Sequence, residues 1–306
     1  MTVTRRLLGA AGSLAGAFLL VSGFLFLVPG DPLDLLLGEQ ASVVDRDALR
    51  SAMGLDLPWH QQLWAFARDF ATFRLRSSVP PFRDQVWPQI ARALPQTLLL
   101  TGAALTLALC IALPAGTAAA ARRGRALDAG ATAGAVAFAA LPRFWLGPML
   151  IVLFALRLKW LPVSGSGSFA HLLLPAATLG LPLAGFLTRI TRGAVADALA
   201  EDHVRTARAK GLSERAVVLK HALPGALVPL LTVLGLELGA LLGGAVVTEK
   251  VFGWPGMGTL LVTGIERRDY NTVRAVVLVV TGIYIAVNAL ADAAVAVVDP
   301  RTRSSR

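Results

Sequence analysis

Very little in this sequence is suited to chemistry. Among 306 residues there is one cysteine, Cys110, so no intrachain disulfide can form. Its place inside an apolar stretch marks it as a small buried hydrophobe. The four histidines, His60, His171, His203 and His221, are too scattered for a metal site, and no H-E-x-x-H is present. A G-x-x-x-x-G-K-[ST] phosphate loop is also missing, which excludes ATP hydrolysis by that route. The run Ser164-Gly165-Ser166-Gly167-Ser168 does not meet G-x-S-x-G and reads as a flexible turn. Charged residues make up only 16% of the chain, and 29 Lys and Arg outnumber 19 Asp and Glu, for a formal charge of +10. No basic run is interleaved with aromatics, so the excess charge does not point to nucleic acid.

What is abundant is apolar surface. The chain is 55% hydrophobic, and its mean hydropathy is +0.64. One soluble core of this size could not bury that much apolar surface. A membrane-spanning helix needs about 20 apolar residues, and six stretches qualify: Leu7 to Val28, Thr97 to Ala121, Ala126 to Leu156, Leu172 to Ile190, Leu227 to Thr248 and Val273 to Val298. The expected fold is an all-α integral membrane protein. It would form one transmembrane domain over residues 1–306, with six transmembrane helices and a long external segment, 30–96, between helices 1 and 2. The first span follows Arg5 and Arg6 and has no small-residue cleavage pattern after it, so it reads as a retained helix rather than a signal peptide.

Arginine and lysine in short loops mark the cytoplasmic side of a membrane protein. Under six spans, Arg5 and Arg6, then Arg122, Arg123 and Arg125, then the segment 196–225, then Arg301, Arg303 and Arg306 share one side. Both termini are therefore expected in the cytoplasm. The opposite side receives 30–96, whose charges nearly balance. Spaced apolar residues from Asp45 to Phe73 suggest short amphipathic helices there. Trp59, Trp64, Trp87 and Trp160 lie near expected membrane interfaces, where aromatic belting accounts for them.

One stretch interrupts the apolar pattern: RTARAKGLSERAVVLKHALPGALVP, Arg205 to Pro229. Ahead of it, Ala196, Leu199, Ala200, His203, Val204 and Ala207 recur at helical spacing, with charges on the other face. Gly211 can end this helix in a left-handed conformation, and Ser213 can cap a second helix whose first turn carries Glu214. Pro224 is expected to break that second helix before the chain re-enters the membrane. Such an element would project as a rigid knob able to take up force from a cytosolic partner. The plainer alternative is a solvated basic loop.

Two of the charges inside spans need separate weighing. Glu237 lies within Gly235-x-x-x-Gly239-x-x-x-Gly243, and a membrane-centred acid is costly unless it is paired, protonated or facing water. It either lines a pathway or hydrogen-bonds across a close helix contact that the glycines permit. Arg143 follows Pro142 in span three and could pair with Glu237. After span five, Gly253, Pro255, Gly256 and Gly258 suggest a short re-entrant or gate-like hairpin between Glu249 and Tyr270, with an ordinary loop as the alternative.

The stretch Arg205-Thr206-Ala207-Arg208-Ala209-Lys210-Gly211-Leu212, with Leu223-Pro224 after it, resembles the coupling loop of bacterial ABC importer permeases. Their general pattern is E-A-A-x-x-x-G, nine residues, then I-x-L-P. Arg205 stands where the broader pattern has Glu, as in the subfamily importing peptides and nickel, and His221 stands in place of Ile. Further stretches resemble the same family in order: Pro29-Gly30-Asp31-Pro32, Met53 to Pro58, Leu94 to Leu98, Phe144 to Gly147, Trp160 to Gly165, Glu249 to Gly258, Arg268-Asp269-Tyr270 and Asp299-Pro300-Arg301.

The resemblance implies a type I ABC importer permease in the inner membrane. It would form a heterodimer with a second homologous permease subunit and work with two cytosolic ATPase subunits and an external solute-binding protein. ATP and Mg would be bound by the partners, and this chain would bind no cofactor or metal of its own. Arg205, Thr206, Ala207, Arg208, Lys210, Gly211, Leu212, Leu223 and Pro224 would couple to the ATPase. Peptide cargo is preferred on frequency, with nickel or a nickel chelate as the alternative. A secondary transporter is the rival class, but the inverted repeats that would mark one are not found. An intramembrane enzyme lacks a catalytic constellation, and a scaffold would have no use for a projecting loop.

Overall fold

A computed structural model describes residues 3–27, 33, 43–53, 55–79 and 84–298. Pro29-Gly30-Asp31-Pro32, Gly54, and the terminal residues with Asp299, Pro300, Arg301, Arg303 and Arg306 lie outside the described residues, as do the side chains of Arg5 and Arg6. The elements in chain order are α1 Val3–Leu27, α2 Val43–Ala52, α3 Trp59–Ala71, α4 Val86–Ala121, α5 Ala126–Ala140 and α6 Arg143–Leu150. Then come a π-helical stretch Ile151–Arg157, α7 Phe169–Ala198, α8 Asp202–Ala209, α9 Glu214–Ala216, a second π-helical stretch Val217–Ala222, α10 Leu223–Phe252, α11 Met257–Glu266 and α12 Tyr270–Val298. Outside the helices, the described residues contain one isolated antiparallel bridge, Arg76 to Gln85.

Four helices are long and apolar enough to cross a membrane, over 86–121, 169–199, 214–252 and 270–295. The first expected span is helical over Val3–Leu27, although the apolar part described within it, Leu8–Gly23, is shorter than the others. The third expected span departs from expectation. It is not one helix but two, Ala126–Ala140 and Arg143–Arg157, bent by 100° at the break. The cause is local. Leu141 and Pro142 are both extended (φ −75, ψ 121 and φ −66, ψ 129), because the proline ring drives the preceding residue out of the helical region. At about 1.5 Å per residue, α5 alone is too short for a hydrocarbon core of roughly 30 Å.

The chain divides into two compact units, one of residues 1–95 with 256–283 and one of 96–255 with 284–306. In the first, α2 and α3 occupy the stretch between spans one and two. Phe18 stacks on Phe66 with ring centroids 5.5 Å apart, and Phe66 stacks on Phe70 at 5.7 Å. Leu75, Val86, Ile90, Met257, Ala275 and Val276 complete this core. Asp269, almost wholly buried, accepts hydrogen bonds from the Ser78 backbone N–H (2.8 Å), the Ser78 hydroxyl (2.9 Å) and the Thr272 hydroxyl (2.6 Å). Trp59 and Trp64 are exposed.

In the second unit α7 is the central helix. Buried Leu100, Ala104, Ala108 and Ala112 recur every fourth residue on α4 and meet Leu179, Leu183 and Leu187 of α7. Small residues set the spacing, as in other membrane bundles. A Cβ on Gly180 would sit 2.7 Å from the Ala104 carbonyl, one on Gly116 2.7 Å from the Thr188 carbonyl, and one on Gly185 would collide with the Ala135 carbonyl. Likewise Gly235 and Gly239 let α10 close on Ala291 and Tyr284 of α12, whereas Gly243 faces open space. Cys110 is exposed on α4, not buried as its apolar surroundings suggested. A spanning helix is apolar on its outer face too.

Candidate functional site

Residues 199–224 fold as a helix, a glycine turn and a second helix. The first helix begins later than its periodicity implied, because α7 runs on to Ala198 and a turn at 199–201 separates it from α8. On α8, Val204 and Ala207 are buried and pack with Val217 and Leu199. Arg205, Thr206, Arg208 and Lys210 are exposed. The helix ends as expected. Gly211 has φ +78; its N–H donates to the Arg208 carbonyl at 2.9 Å, and the Leu212 N–H reaches the Ala207 carbonyl at 3.4 Å. A left-handed residue after a helix closes its orphan carbonyls in this way. No atom lies within 4 Å of where a Gly211 Cβ would be. The glycine is therefore required by its backbone angle and not by space.

Ser213 then caps the second helix, its Oγ accepting from the Ala216 N–H at 3.4 Å. Arg208 reaches back across the turn and grips Glu214 with two hydrogen bonds, Nε to Oε1 at 2.8 Å and Nη2 to Oε2 at 3.3 Å. Hydrogen bonding to this guanidinium holds the Glu214 carboxyl below its ordinary value and raises that of Arg208. The His203 ring lies 3.2 Å from the His221 carbonyl and 3.2 Å from a Glu201 carboxylate oxygen.

Pro224 does not stop the second helix, contrary to expectation. The chain passes from α9 through the π turn Val217–Ala222 into α10, and 214–252 runs as one continuous helix. Pro224 follows directly on the π turn Val217–Ala222, whose wider spacing leaves room for the ring inside the continuous helix. Leu223 packs beside buried Ala120, Val195, Ala198, Ala222 and Ala226, while Leu212 is 42% exposed.

The two intramembrane charges do not pair. Arg143 Nη1 donates to the Ala240 carbonyl at 3.3 Å, and its guanidinium lies where a Gly244 side chain would be. Half-buried Glu237 forms no ion pair with it. Instead a partly buried ion pair in this unit joins Asp128 and Arg192, Nε to Oδ1 at 2.5 Å and Nη2 to Oδ2 at 2.9 Å, with the Gly124 N–H adding 2.9 Å to Oδ2. It bolts the start of α5 to α7. Hydropathy reading missed it because the two residues sit at opposite margins of different spans.

At the other end of α10, much of the stretch from Glu249 to Tyr270, expected as a hairpin or an ordinary loop, is helical. The helix reaches Phe252, and only four residues separate it from α11. Gly253 has φ +59 and terminates α10, and the Phe252 carbonyl accepts from the Gly165 N–H at 2.8 Å. Trp254, nearly inaccessible, donates from Nε1 to the Gln96 carbonyl at 3.0 Å. One turn earlier Glu249 is wholly buried and accepts from the Thr97 hydroxyl at 2.6 Å. Its side-chain burial was invisible in the sequence, where it read only as the start of a glycine-rich stretch. Pro255 is exposed. In the other unit, Gly256 caps α11 and Gly258 is buried.

Residues 112–304 match the family described as binding-protein-dependent transport system inner membrane component. The chain is 40% identical over 301 residues to a glutathione transport system permease protein from Escherichia coli, covering 98% of each. A protein of the same description from Salmonella choleraesuis is 40% identical over 306 residues, again with 98% of each covered. Among solved structures, an inward-facing MetNI methionine ABC transporter chain matches with a TM-score of 0.59 at 20% identity, covering 70% of this chain and 97% of that one. That likeness supports the fold. The helical membrane architecture and the glycine-hinged segment thus belong together: the chain is a member of the binding-protein-dependent transport system inner membrane component family, a multi-pass permease subunit of an ABC importer whose ATP is hydrolysed by other subunits.

Proposed function

We propose that this subunit forms half of a translocation pathway for a small peptide, and that 202–224 is where it receives work from a cytosolic ATPase. The observation that carries the coupling reading is the continuity of residues 214–252. A push on the knob around Gly211 has no flexible joint to dissipate in before it reaches the fifth span. Val204, Ala207 and Val217 seal the knob, and Arg205, Arg208, Lys210 and Leu212 are exposed for contact. The ATPase would have to contact this face differently in two states, because only differential contacts shift a conformational equilibrium.

The complete importer would contain a second homologous permease subunit, two ATPase subunits carrying ATP and Mg, and an external solute-binding protein. The subunit would lie in the cytoplasmic membrane with both termini and 196–225 in the cytoplasm, and 30–96 outside. Glu237 would line the pathway, Arg143 would brace α10 from its carbonyl side, and residues 253–258 would stand at the outer end. A peptide cargo is favoured by the relatives, which are described as glutathione permeases. The test is uptake of labelled glutathione and of short peptides into proteoliposomes holding the whole system. ATP-dependent uptake by the native chain and its loss with Gly211→Val, at equal membrane insertion, are expected. Normal uptake by that variant would overturn the coupling assignment, and uptake of neither cargo would overturn the peptide assignment.

A further inference from the structure

A cavity of about 1220 Å³ opens in the second unit between the end of α4, the loop 122–125, the end of α7 and the helix 214–223. Its walls combine two chemistries. Leu113, Pro114, Leu127, Leu219 and Leu223 give it an apolar interior, and Arg122, Arg123, Arg125 and Arg215 stand around it. Leu113 lies eight residues before the end of α4, roughly 12 Å along the axis at 1.5 Å per residue. The interior therefore reaches well inside the span. The one acid in the wall, Glu214, is already gripped by Arg208, which also lines the cavity. None of the other four arginines has a carboxylate within ion-pair distance among the described residues.

We propose that this cavity holds an anionic phospholipid, its phosphate among Arg123, Arg125 and Arg215 and the upper part of an acyl chain against Leu113, Leu219 and Leu223. Four uncompensated guanidiniums above an apolar well complement an amphiphile with a negative head. Arginine matches phosphate with paired donors, and basic residues at the membrane margin attract anionic lipid. A soluble subunit would meet the rim, but its polar surface is unsuited to the depth of Leu113. A lipid seated here would wedge the loop 122–125 against the coupling helix and so tie its position to the surrounding bilayer. The proposal rests on the membrane assignment and not on the identity of the cargo, so failure of the peptide reading leaves it standing.

The test uses the assembled importer in mild detergent, with native mass spectrometry after adding phosphatidylglycerol or phosphatidylcholine. Preferential retention of phosphatidylglycerol is expected. Arg123→Gln with Arg215→Gln should weaken that retention roughly 10- to 30-fold, at about a factor of five per arginine near the surface. Ala118→Trp, which leaves every charge in place, should fill the well and abolish retention. Should the tryptophan variant fail to assemble, the arginine variant decides alone. Equal retention of both lipids, or unchanged retention in the variants that assemble, would overturn the site. High-yield cross-linking from Leu127→Cys to an ATPase subunit would also overturn it, by making that subunit the occupant.

Discussion

The two ends of the long helix 214–252 are built from opposite materials. At the end proposed to meet the ATPase, three buried side chains, Val204, Ala207 and Val217, make a minimal seal. The polar contacts there are exposed, as in Arg208 with Glu214, whose side chains are 41% and 67% accessible. At the far end Phe252, Trp254 and Glu249 are all inaccessible, and Thr97 and Gln96 are tied to them by hydrogen bonds. Buried polar contacts are costly to break, while exposed ones exchange readily with water. One end of the lever is therefore fixed and the other compliant. This division suits a part that takes up force at one end and pivots near the other, and it can be broken or sharpened by substitution.

Removing the fixed end should cost most. Glu249→Ala deletes a buried acceptor, breaks its hydrogen bond from the Thr97 hydroxyl and opens a void. A loss of about 3 kcal/mol is expected from these effects together. Thermal unfolding in detergent should show a large fall in Tm, with poor yield. An unchanged Tm would mean that this end bears no more stability than the other, and the contrast would collapse.

Next in size is the bolt between α5 and α7. Asp128→Ala strands the Arg192 guanidinium, whose side chain is 30% accessible against 8% for Asp128. Breaking such a partly buried pair should cost about 2 kcal/mol, less than the fully buried cases. A double-mutant cycle with Arg192→Ala should give a coupling of about 1 kcal/mol or more. Additive effects would show that the pair does not hold the base against which the knob moves.

Much of this arrangement could be read from the sequence, and the gaps have physical causes. Gly211, Ser213 and Glu214 announced a capped turn because capping chemistry is local. The apolar stretches announced spans because hydrocarbon thickness fixes their length. Direction was not legible: hydropathy over 126–156 is the same for a straight helix and for one bent at Leu141-Pro142. Proline 224 was overread, since the π turn that accommodates it has no composition of its own. The contacts of Asp128 with Arg192 and of Thr97 with Glu249 join residues far apart in the chain, and no periodicity reports them. Arg143 and Glu237 drew attention because their charges stand out in apolar sequence, yet Arg143 finds a backbone carbonyl and not the carboxylate.

At the compliant end, Gly211→Val should cost about 1–2 kcal/mol, chiefly from the left-handed backbone angle, since an added Cβ meets nothing within 4 Å. Uptake should fall far more than stability does, because the turn angle aims the knob. Gly211→Asn is expected to retain much of the activity, as asparagine tolerates this conformation. Equal losses for valine and asparagine would show that the angle is not what matters.

The smallest effect should come from the ion pair across that turn. Glu214→Gln removes an exposed pair, worth within about 0.5 kcal/mol in stability. The Arg208 guanidinium holds the Glu214 carboxyl below its ordinary value in the folded chain. Its contribution is therefore present at neutral pH and disappears as pH falls through that lowered value, where the carboxyl becomes protonated. Glutamine mimics the protonated form, so the variant at neutral pH should behave as the native chain does in acid, with added salt shrinking the small difference between them. A loss of Tm as large as that of Glu249→Ala would mean that the coupling end is as firmly built as the other. A near-silent Tm with altered coupling of ATP hydrolysis to uptake would instead place the role of Glu214 in the shape of the knob.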